Sequence, residues 1–425
     1  MAMAEAKTSA IPGFYKLARK ERLEHVAKFS SLSEEQKRQL GTDSPLGFEV
    51  ADKIAENAIG LHCLPLCIAT NFIINGKETL VPMATEEPSV VAAASNGAKL
   101  CRGSGGFAAS ADEPVMIGQI QLVGCEDATA SATRLNEKKQ EILKLAEPFA
   151  DNIAKYGGGL RGFSARVLPT VRGGMVIAEF ELDVRDSMGA NTVNTILEGA
   201  APKIAEIAGG KPALRILTNL AVKRMARAKA VWKRDAIGAD AVEGVLDAWA
   251  FADADIYRAC THNKGIMNGI DAVAVATGND WRAVEAGAHA YAAIGTRYRS
   301  LTSYSKNTDG DLEGEIALPI AAGLVGGAIN SMPSAKAAIA ICGAKTSREL
   351  ACIMASVGLA QNFAALRALS TEGIQRGHMG LHAKNLAIAA GAKGEEIEKI
   401  AQAMADERNI SSARAAELLG KMRKK

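Results

Sequence analysis

The sequence predicts an α+β protein in which a large helix-rich part is interrupted by a βαββαβ insertion and followed by a helical C-terminal segment. Three observations carry this. Strand-period and helix-period hydrophobic patterns alternate as βαββαβ in the middle of the chain. Ala- and Gly-rich, helix-compatible sequence flanks that stretch on both sides, and helical patterns fill the tail after Met379. With 425 residues there is room for two or three domains. We divide the chain into 1–112 with 220–375 as one discontinuous large domain, 113–219 as the insertion, and 376–425 as the tail.

The elements follow in order. Val90 to Ala98 reads as an apolar helix behind Glu86-Glu87-Pro88-Ser89. In the insertion, Met116 to Val123 alternates as a strand, Thr129 to Tyr156 carries a helical pattern, and Phe163 to Thr170 is a second strand. After a turn at Gly173-Gly174, Met175 to Val184 presents Val176, Ala178, Phe180, Leu182 and Val184 on one face and Glu179 and Glu181 on the other. Asn191 to Ala208 is helical and Ala213 to Leu217 a strand, which completes the ferredoxin-like order. Ala221 to Ala230 and Ala283 to Ala293 read as helices packed through small residues. Thr261 to Gly265 mixes turn and strand signals, and His378 opens a helix over Met379 to Ala390. The tail divides near Gly391 and again near Asn409 to Ser411, and ends in a basic helix terminus.

Composition excludes several classes. Fifty basic against 47 acidic side chains is too balanced for a nucleic-acid stripe. Seven scattered cysteines lack the density of a disulfide framework and read as reduced thiols of a cytoplasmic protein. Cys63 and Cys67 have no matching second pair, so packing is preferred to a metal site. Met1 to Ala10 lacks the apolar core of a secretory signal, and the apolar stretch Ile316 to Ile329 is broken by Pro319 and three glycines. No membrane segment is read.

Several motifs carry chemistry. Gly157-Gly158-Gly159-Leu160-Arg161-Gly162 has dinucleotide-binding spacing, but a helix precedes it and a strand follows, the reverse of what that mechanism requires. A better anion site is Asp183 to Thr192, where a strand enters a Gly-containing turn before a helix; an ordinary N-cap by Asn191 or Ser187 is the alternative. Lys264 can polarise a carbonyl, hold an anion or form an imine, or be an ordinary surface lysine. Asp280 could pair with it, although Gly278-Asn279-Asp280 is also simply a good turn. Glu87, ahead of Pro88, is either a tunable acid or a helix first-turn acid. His378 and His382 resemble a zinc helix, but Met379 stands where the general-base Glu is needed, so no metal is expected and acid–base use of His378 is preferred.

Taken together, Glu86 to Ser95, Asp186 to Thr195, Thr261 to Asp271, Gly278 to Tyr291 and Thr371 to His382 closely resemble class II 3-hydroxy-3-methylglutaryl-CoA reductases, with similarity from Ile11-Pro12-Gly13-Phe14 onward. The resemblance implies reduction of 3-hydroxy-3-methylglutaryl-CoA to mevalonate and free CoA at the expense of two NADH or NADPH. It implies Lys264 at the oxyanion, Asp280 tuning it, Glu87 as proton donor in the aldehyde step, and His378 protonating the CoA thiolate. Ser89, Arg258, Asn268 and Asn219 would surround the substrate, with Arg258 on its carboxylate; Asp186, Met188, Gly189 and Asn191 would form the cofactor turn. A large acyl-CoA domain, a small dinucleotide domain, a C-terminal flap carrying His378, and a site at the interface of a homodimer or higher assembly are also implied. Where NAD-using relatives carry an Asp, Ala150 stands beside Asp151, which favours NADP over NAD unless Asp151 takes over. The readings from other classes are a Schiff-base lysine enzyme and a non-catalytic CoA-ester-binding protein.

Overall fold

The structure, a computed structural model, describes residues 7–371 and 373–423; the side chains of 374–381 lie outside that description. Helices α1 (Arg19–Ser30), α2 (Glu34–Gly41) and α3 (Phe48–Ile54) lead to strands β1 (Leu66–Ile74) and β2 (Lys77–Ala84), helix α4 (Val90–Cys101) and strand β3 (Phe107–Ala111). The insertion runs β4 (Val115–Val123), α5 (Ala128–Glu137), α6 (Lys139–Ala146), α7 (Asp151–Ala154), β5 (Gly159–Thr170), β6 (Gly173–Asp183), α8 (Ala190–Ala208) and β7 (Lys211–Leu217). The chain returns through β8 (Met225–Trp232), α9 (Arg234–Ile237), α10 (Ala239–Ala254), α11 (Ile256–Ala276), α12 (Trp281–Ala292), β9 (Thr302–Lys306) and β10 (Leu312–Pro319). It continues through α13 (Pro333–Cys342), α14 (Ser347–Ser370), α15 (Ile374–Ala389), α16 (Glu395–Asp406) and α17 (Ser412–Arg423).

Two sheets organise the molecule. The small one has the order β5-β6-β4-β7, every pairing antiparallel, which is the ferredoxin-like arrangement the pattern predicts. Its inward stripe of Val176, Ala178, Phe180, Leu182 and Val184 is fully buried against α8 and the α5–α6 region. The expected helix of Thr129 to Tyr156 is broken: Lys138 leaves helical geometry at φ −90° and ψ 15°, and Pro148 lies in a 3₁₀ turn over Glu147–Ala150.

The large sheet has the order β2-β1-β3-β8-β10-β9. Here the sequence reading needs correction, because the helix expected over Ala221 to Ala230 is strand β8. Its alanines are buried at every second position, Ala226, Ala228 and Ala230, while Arg227 and Lys229 point outward. Period-two burial between β3 and β10 overrides alanine's helix propensity. The reading of Thr261 to Gly265 as turn or strand also fails, since this run lies inside α11. Helix α15 begins at Ile374, so His378 lies in its second turn rather than at its start.

Helix α14 is the axle of the larger core. By length and composition it could cross a membrane, yet nearly all of it is buried against β3, β8, β10, α4, α10 and α11. It approaches α4 so closely that a Cβ on Gly97 would lie 2.3 Å from the carbonyl oxygen of Ala360. The Gly97 carbonyl in turn accepts a 3.0 Å hydrogen bond from Trp232 Nε1, and the indole stacks on Phe363 with centroids 4.0 Å apart. All seven cysteines are free, and Cys63, read as a packing residue, is exposed.

Gly97→Ala forces α4 off α14, and we expect it to cost about 1–3 kcal/mol, the range for overpacked cores. Chemical denaturation at neutral pH checks this, and a loss within error of zero would refute the close-approach argument.

Candidate active site

Helix α11 starts at Asp255, whose carboxylate accepts the Arg258 N–H at 2.7 Å. One side is buried through Ala259, His262, Asn263, Ile266, Met267 and Ile270, leaving Tyr257, Thr261, Lys264, Asn268 and Asp271 on the other at helical spacing. Lys264 Nζ reaches Glu87 Oε2 at 2.8 Å, although 177 residues separate them. Glu87 sits between β2 and α4, with its own N–H held by Thr85 Oγ1 at 3.2 Å. Both side chains stay accessible, 58% for the lysine and 37% for the glutamate. The desolvated acid considered for Glu87 is therefore not found within one chain. A cation hydrogen-bonded to a carboxyl group can stabilise an oxyanion and deliver a proton to it.

Two further residues fit an anionic, hydroxylated ligand. Ser89 holds a left-handed φ of 74° just before α4 without capping that helix, a strained conformation of the kind found at binding sites. Arg258 is half-buried and no acidic side chain among the described residues pairs with it; burial lowers its guanidinium pKa.

The back of α11 is fastened by a network the sequence reading did not find. His262 Nε2 lies 2.8 Å from both Thr302 Oγ1 and Ser300 Oγ, and 3.2 Å from Asn362 Nδ2 on α14. Thr302 and Tyr304 hydroxyls both donate to Asn362 Oδ1. Asn263 donates to Arg299 O and accepts from Leu301 N. Burial pushes the imidazole down to about 3, helped by the Arg258 charge, so the ring is neutral.

A second group of site residues gathers at the start of α8. Gly189 is the N-cap, with φ 106°, and a Cβ there would lie 2.9 Å from Val184. No side chain caps this 19-residue helix, so neither Asn191 nor Ser187 fills the N-cap role, and the first N–H groups stay available to an anion. Asp186 Oδ1 accepts from Ser347 N at 2.7 Å at the head of α14, where Ser347 Oγ donates to Arg185 O. The buried Arg224 guanidinium donates to the carbonyls of Ser187, Met188 and Ala322. Burial lowers it to about 10, while Asp186 and Asp183 favour its charge. No sequence motif marked Arg224.

Asp280 belongs with this second group. The Asn279 amide accepts from Gly323 N at 2.7 Å and donates to Gly323 O, and Gly323 packs so tightly on the turn before α8 that a Cβ would lie 2.7 Å from Met188 N. Asp280 caps α12 through Ala283 N, and the exposed Asn219 presses its carbonyl against Gly287 of the same helix. Lys264 and Asp280 do not meet: roughly 18 Å of helix rise separates Lys264 from Ala276, and Asp280 lies beyond. The chain thus presents two groups of site residues, one beside the middle of α11 and one beyond its C-terminal end.

Ala150 is buried in the small core, whereas Asp151 is exposed, so Asp151 alone of the pair can touch a ligand. Arg161 is engaged by Asp183 Oδ2 at 2.7 Å. The His378 side chain lies outside the described residues. A cavity of about 670 Å³ opens beside β8 and β10 and is lined by none of the residues of either group; its cations Arg227, Lys229 and Arg299 are neutralised by Asp112, Glu315 and Asp253.

Comparison with known proteins finds consistent relatives. The sequence profile of the family described as hydroxymethylglutaryl-coenzyme A reductase matches residues 18–383. The 3-hydroxy-3-methylglutaryl-coenzyme A reductase of Archaeoglobus fulgidus is 52% identical over 420 residues, 98% of this chain and 96% of its own length. A probable reductase of the same name from Borreliella burgdorferi is 36% identical, covering 78% of this chain and 77% of its own. Among solved structures, 3-hydroxy-3-methylglutaryl-coenzyme A reductase from Streptococcus pneumoniae aligns over 97% of this chain and all of its own, with a TM-score of 0.83 and 37% identity. A class II enzyme from the same organism, bound to NADPH in open conformations, aligns over 85% of this chain and all of its own, with a TM-score of 0.82 and 38% identity.

Because the folded state holds His262 neutral with a pKa depressed from 6.5 to about 3, its contribution to stability is present above pH 6.5 and lost as pH falls toward 3. We expect a loss on the order of 3 kcal/mol between pH 6.5 and pH 4 from this residue. Denaturation of wild type and His262→Gln at both pH values measures it; parallel losses in the two proteins would show that His262 is not the group responsible.

Proposed function

The chain belongs to the hydroxymethylglutaryl-coenzyme A reductase family, and from that membership and the geometry above we propose how its residues divide the work of an NAD(P)H-dependent reductase that interconverts 3-hydroxy-3-methylglutaryl-CoA and mevalonate plus CoA. The observation that carries the reading is the Lys264–Glu87 pair on an open helix face, with the strained Ser89 two residues from Glu87 and, on the same helix, an Arg258 that has no acidic partner among the described residues. The bound cofactor supplies hydride, twice per turnover. Lys264 holds its charge where each hydride addition turns a carbonyl oxygen anionic, and Glu87 delivers the proton that leaves this oxygen a hydroxyl. Arg258 takes the free carboxylate of the substrate, while Ser89, Asn268 and Asn219 orient its hydroxyl and carbonyl groups. His378 protonates the departing thiolate from the tail, which acts as a flap.

Asp186, Met188, Gly189 and Asn191 form the turn that holds the pyrophosphate, a role supported by the uncapped N-terminus of α8. Because Lys264 lies near the middle of α11 and Asp280 past its C-terminal end, we assign the complete site to two copies: Lys264 and Glu87 from one, Asp280 and the cofactor turn from the other. The functional unit is a homodimer or an assembly of homodimers, with 113–219 as dinucleotide domain, 1–112 and 220–375 as acyl-CoA domain, and 376–425 as flap. Seven free thiols support a cytoplasmic setting. NADPH is the preferred cofactor, supported by the NADPH bound to the streptococcal enzyme.

Purified protein with 3-hydroxy-3-methylglutaryl-CoA is expected to oxidise two NADPH per CoA released, and Lys264→Ala to lose at least about a thousandfold in kcat, as for loss of a group that stabilises the oxyanion. No turnover by folded wild type with either cofactor sinks the assignment. The ratio of kcat/KM for NADPH over NADH is expected to exceed one and to rise in Asp151→Ala, which removes a carboxylate that repels a 2′-phosphate. A preference for NADH that Asp151→Ala abolishes would instead give Asp151 the ribose-binding role.

A further inference from the structure

The glycine run Gly157-Gly158-Gly159 has no role in the reaction described above. It follows α7 and enters β5, and Gly159 pairs with Asp183 at the end of β6. Gly157 and Gly159 take φ of 80° and 123°, values that glycine reaches without steric cost. A Cβ on Gly158 would lie 2.5 Å from Asp183 O and 3.2 Å from Arg185 Cγ, so the bare backbone leaves room for the Arg185 stem to cross it. Arg185 itself holds a left-handed φ of 51°, unusual for so large a side chain, with its N–H on Asp183 Oδ1 at 3.0 Å.

Two guanidinium groups meet over this glycine bed. Arg161 Nη2 donates to Asp183 Oδ2 at 2.7 Å and to Gly157 O at 3.4 Å. Arg185 Nη2 donates to the same Gly157 carbonyl and lies 3.4 Å from the same Asp183 oxygen. With one oxygen 2.7 Å from the first nitrogen and 3.4 Å from the second, the two nitrogens are no more than about 6 Å apart. The Asp183 side chain is 2% exposed, while those of Arg161 and Arg185 keep 47% and 38%. One buried carboxylate therefore serves two accessible cations, and a positive charge is left over. Neither guanidinium makes a further hydrogen bond among the described residues. The Arg185 Nε is sealed from solvent and cannot reach a ligand, so the donors on offer are the terminal nitrogens of both side chains and Arg161 Nε. A phosphate that accepts from both guanidinium groups supplies the missing negative charge and relieves their mutual repulsion.

Tyr156 indicates which phosphate. It immediately precedes the glycine run, and its ring is 78% exposed. An exposed aromatic ring next to a cationic pair suits a nucleoside phosphate, the base stacking on the ring and the phosphate meeting the guanidinium groups. The dinucleotide reading of 113–219, on which this inference rests, puts the pyrophosphate at the turn before α8. Asp186 of that turn follows Arg185 directly, and Gly189 packs on Val184, the residue before Arg185. In NADPH a single ribose separates the pyrophosphate from the 2′-phosphate. We propose that Arg161 and Arg185 together hold the 2′-phosphate of NADPH while Tyr156 stacks on its adenine, and that this clamp sets the preference for NADPH over NADH. The glycine run is then the bed of a ribose-phosphate site rather than a cradle for the pyrophosphate. The reaction involves one other adenosine phosphate, the 3′-phosphate of CoA, which differs from the first only in its position on the ribose.

Equilibrium titration calorimetry tests this without turnover. Wild type is expected to bind 2′,5′-ADP at least about tenfold more tightly than either 5′-ADP or 3′,5′-ADP, a comparison that needs no variant. Arg161→Gln and Arg185→Gln are each expected to lower the ratio of the NADH Kd to the NADPH Kd at least about tenfold, as for loss of a charge-assisted hydrogen bond. If the arginines only brace the glycine run, both Kd values rise together and the ratio stays, which overturns the phosphate clamp. Tyr156→Ala is expected to weaken NADH and NADPH alike, by about tenfold, and Tyr156→Phe to bind both as wild type does. Unchanged binding in Tyr156→Ala overturns the adenine stack. Tighter binding of 3′,5′-ADP than of 2′,5′-ADP, lost in the arginine variants, gives the pair to CoA and overturns the assignment to NADPH. Wild type that reduces 3-hydroxy-3-methylglutaryl-CoA but does not distinguish 2′,5′-ADP from 5′-ADP refutes the clamp alone, whereas folded wild type without turnover on either cofactor refutes the reductase reading.

Discussion

The contact on which the rest depends is the seating of α14 among buried polar partners at its two functional levels. At its head, Ser347 N is held by the Asp186 carboxylate, which joins the core helix to the turn before α8. Four turns on, Asn362 closes the His262, Ser300, Thr302 and Tyr304 network and thereby fixes the rotation of α11. That rotation decides whether Lys264 faces Glu87 or the core. Buried polar groups tolerate few arrangements, because each unmet partner costs about 1–3 kcal/mol. One rigid helix therefore sets the relative positions of the turn before α8 and of Lys264.

Glycines make this seating possible at two particular places. A Cβ at Gly97 would strike Ala360, and one at Gly269 would come within 3.0–3.1 Å of Val357 and Gln361. Both let neighbouring helices approach α14 at backbone distance, where side-chain networks of fixed length can close. Gly269 lies inside α11, where a glycine costs helix stability, and the close packing offsets that cost.

How much of this was legible in the sequence follows physical lines. The ferredoxin-like sheet could be read because one face is buried and the other solvated, so β6 carries its period openly in Val176 to Val184. Strand β8 could not, because alanine fills both period-two core positions and helices, and only the pairing with β3 and β10 decides between them. Asn263 and Gly265 made α11 look like a turn, yet Asn263 is spent on the backbone of residues 299–301 and Gly265 faces open space, where a helix tolerates it. Glu87, Lys264 and Asp280 were identified as reactive by their company. Their mutual distances were not, since spacing along a chain carries no information about which end of a 21-residue helix a neighbour occupies, or which copy it comes from. Arg224 left no trace either, because its work is done entirely on backbone carbonyls.

The separation of Lys264 from Asp280 along one chain has an electrostatic consequence. In a single chain Lys264 and Glu87 form an accessible ion pair, in water-rich surroundings where such a pair is worth little. The same charges act far more strongly on a developing oxyanion once water is displaced. If the second copy supplies both the cover and Asp280, then assembly itself raises the lysine's effect on the reacting carbonyl. The unassembled chain keeps its cation solvated and weak, so reductive power appears only where substrate, cofactor turn and carboxylate are brought together.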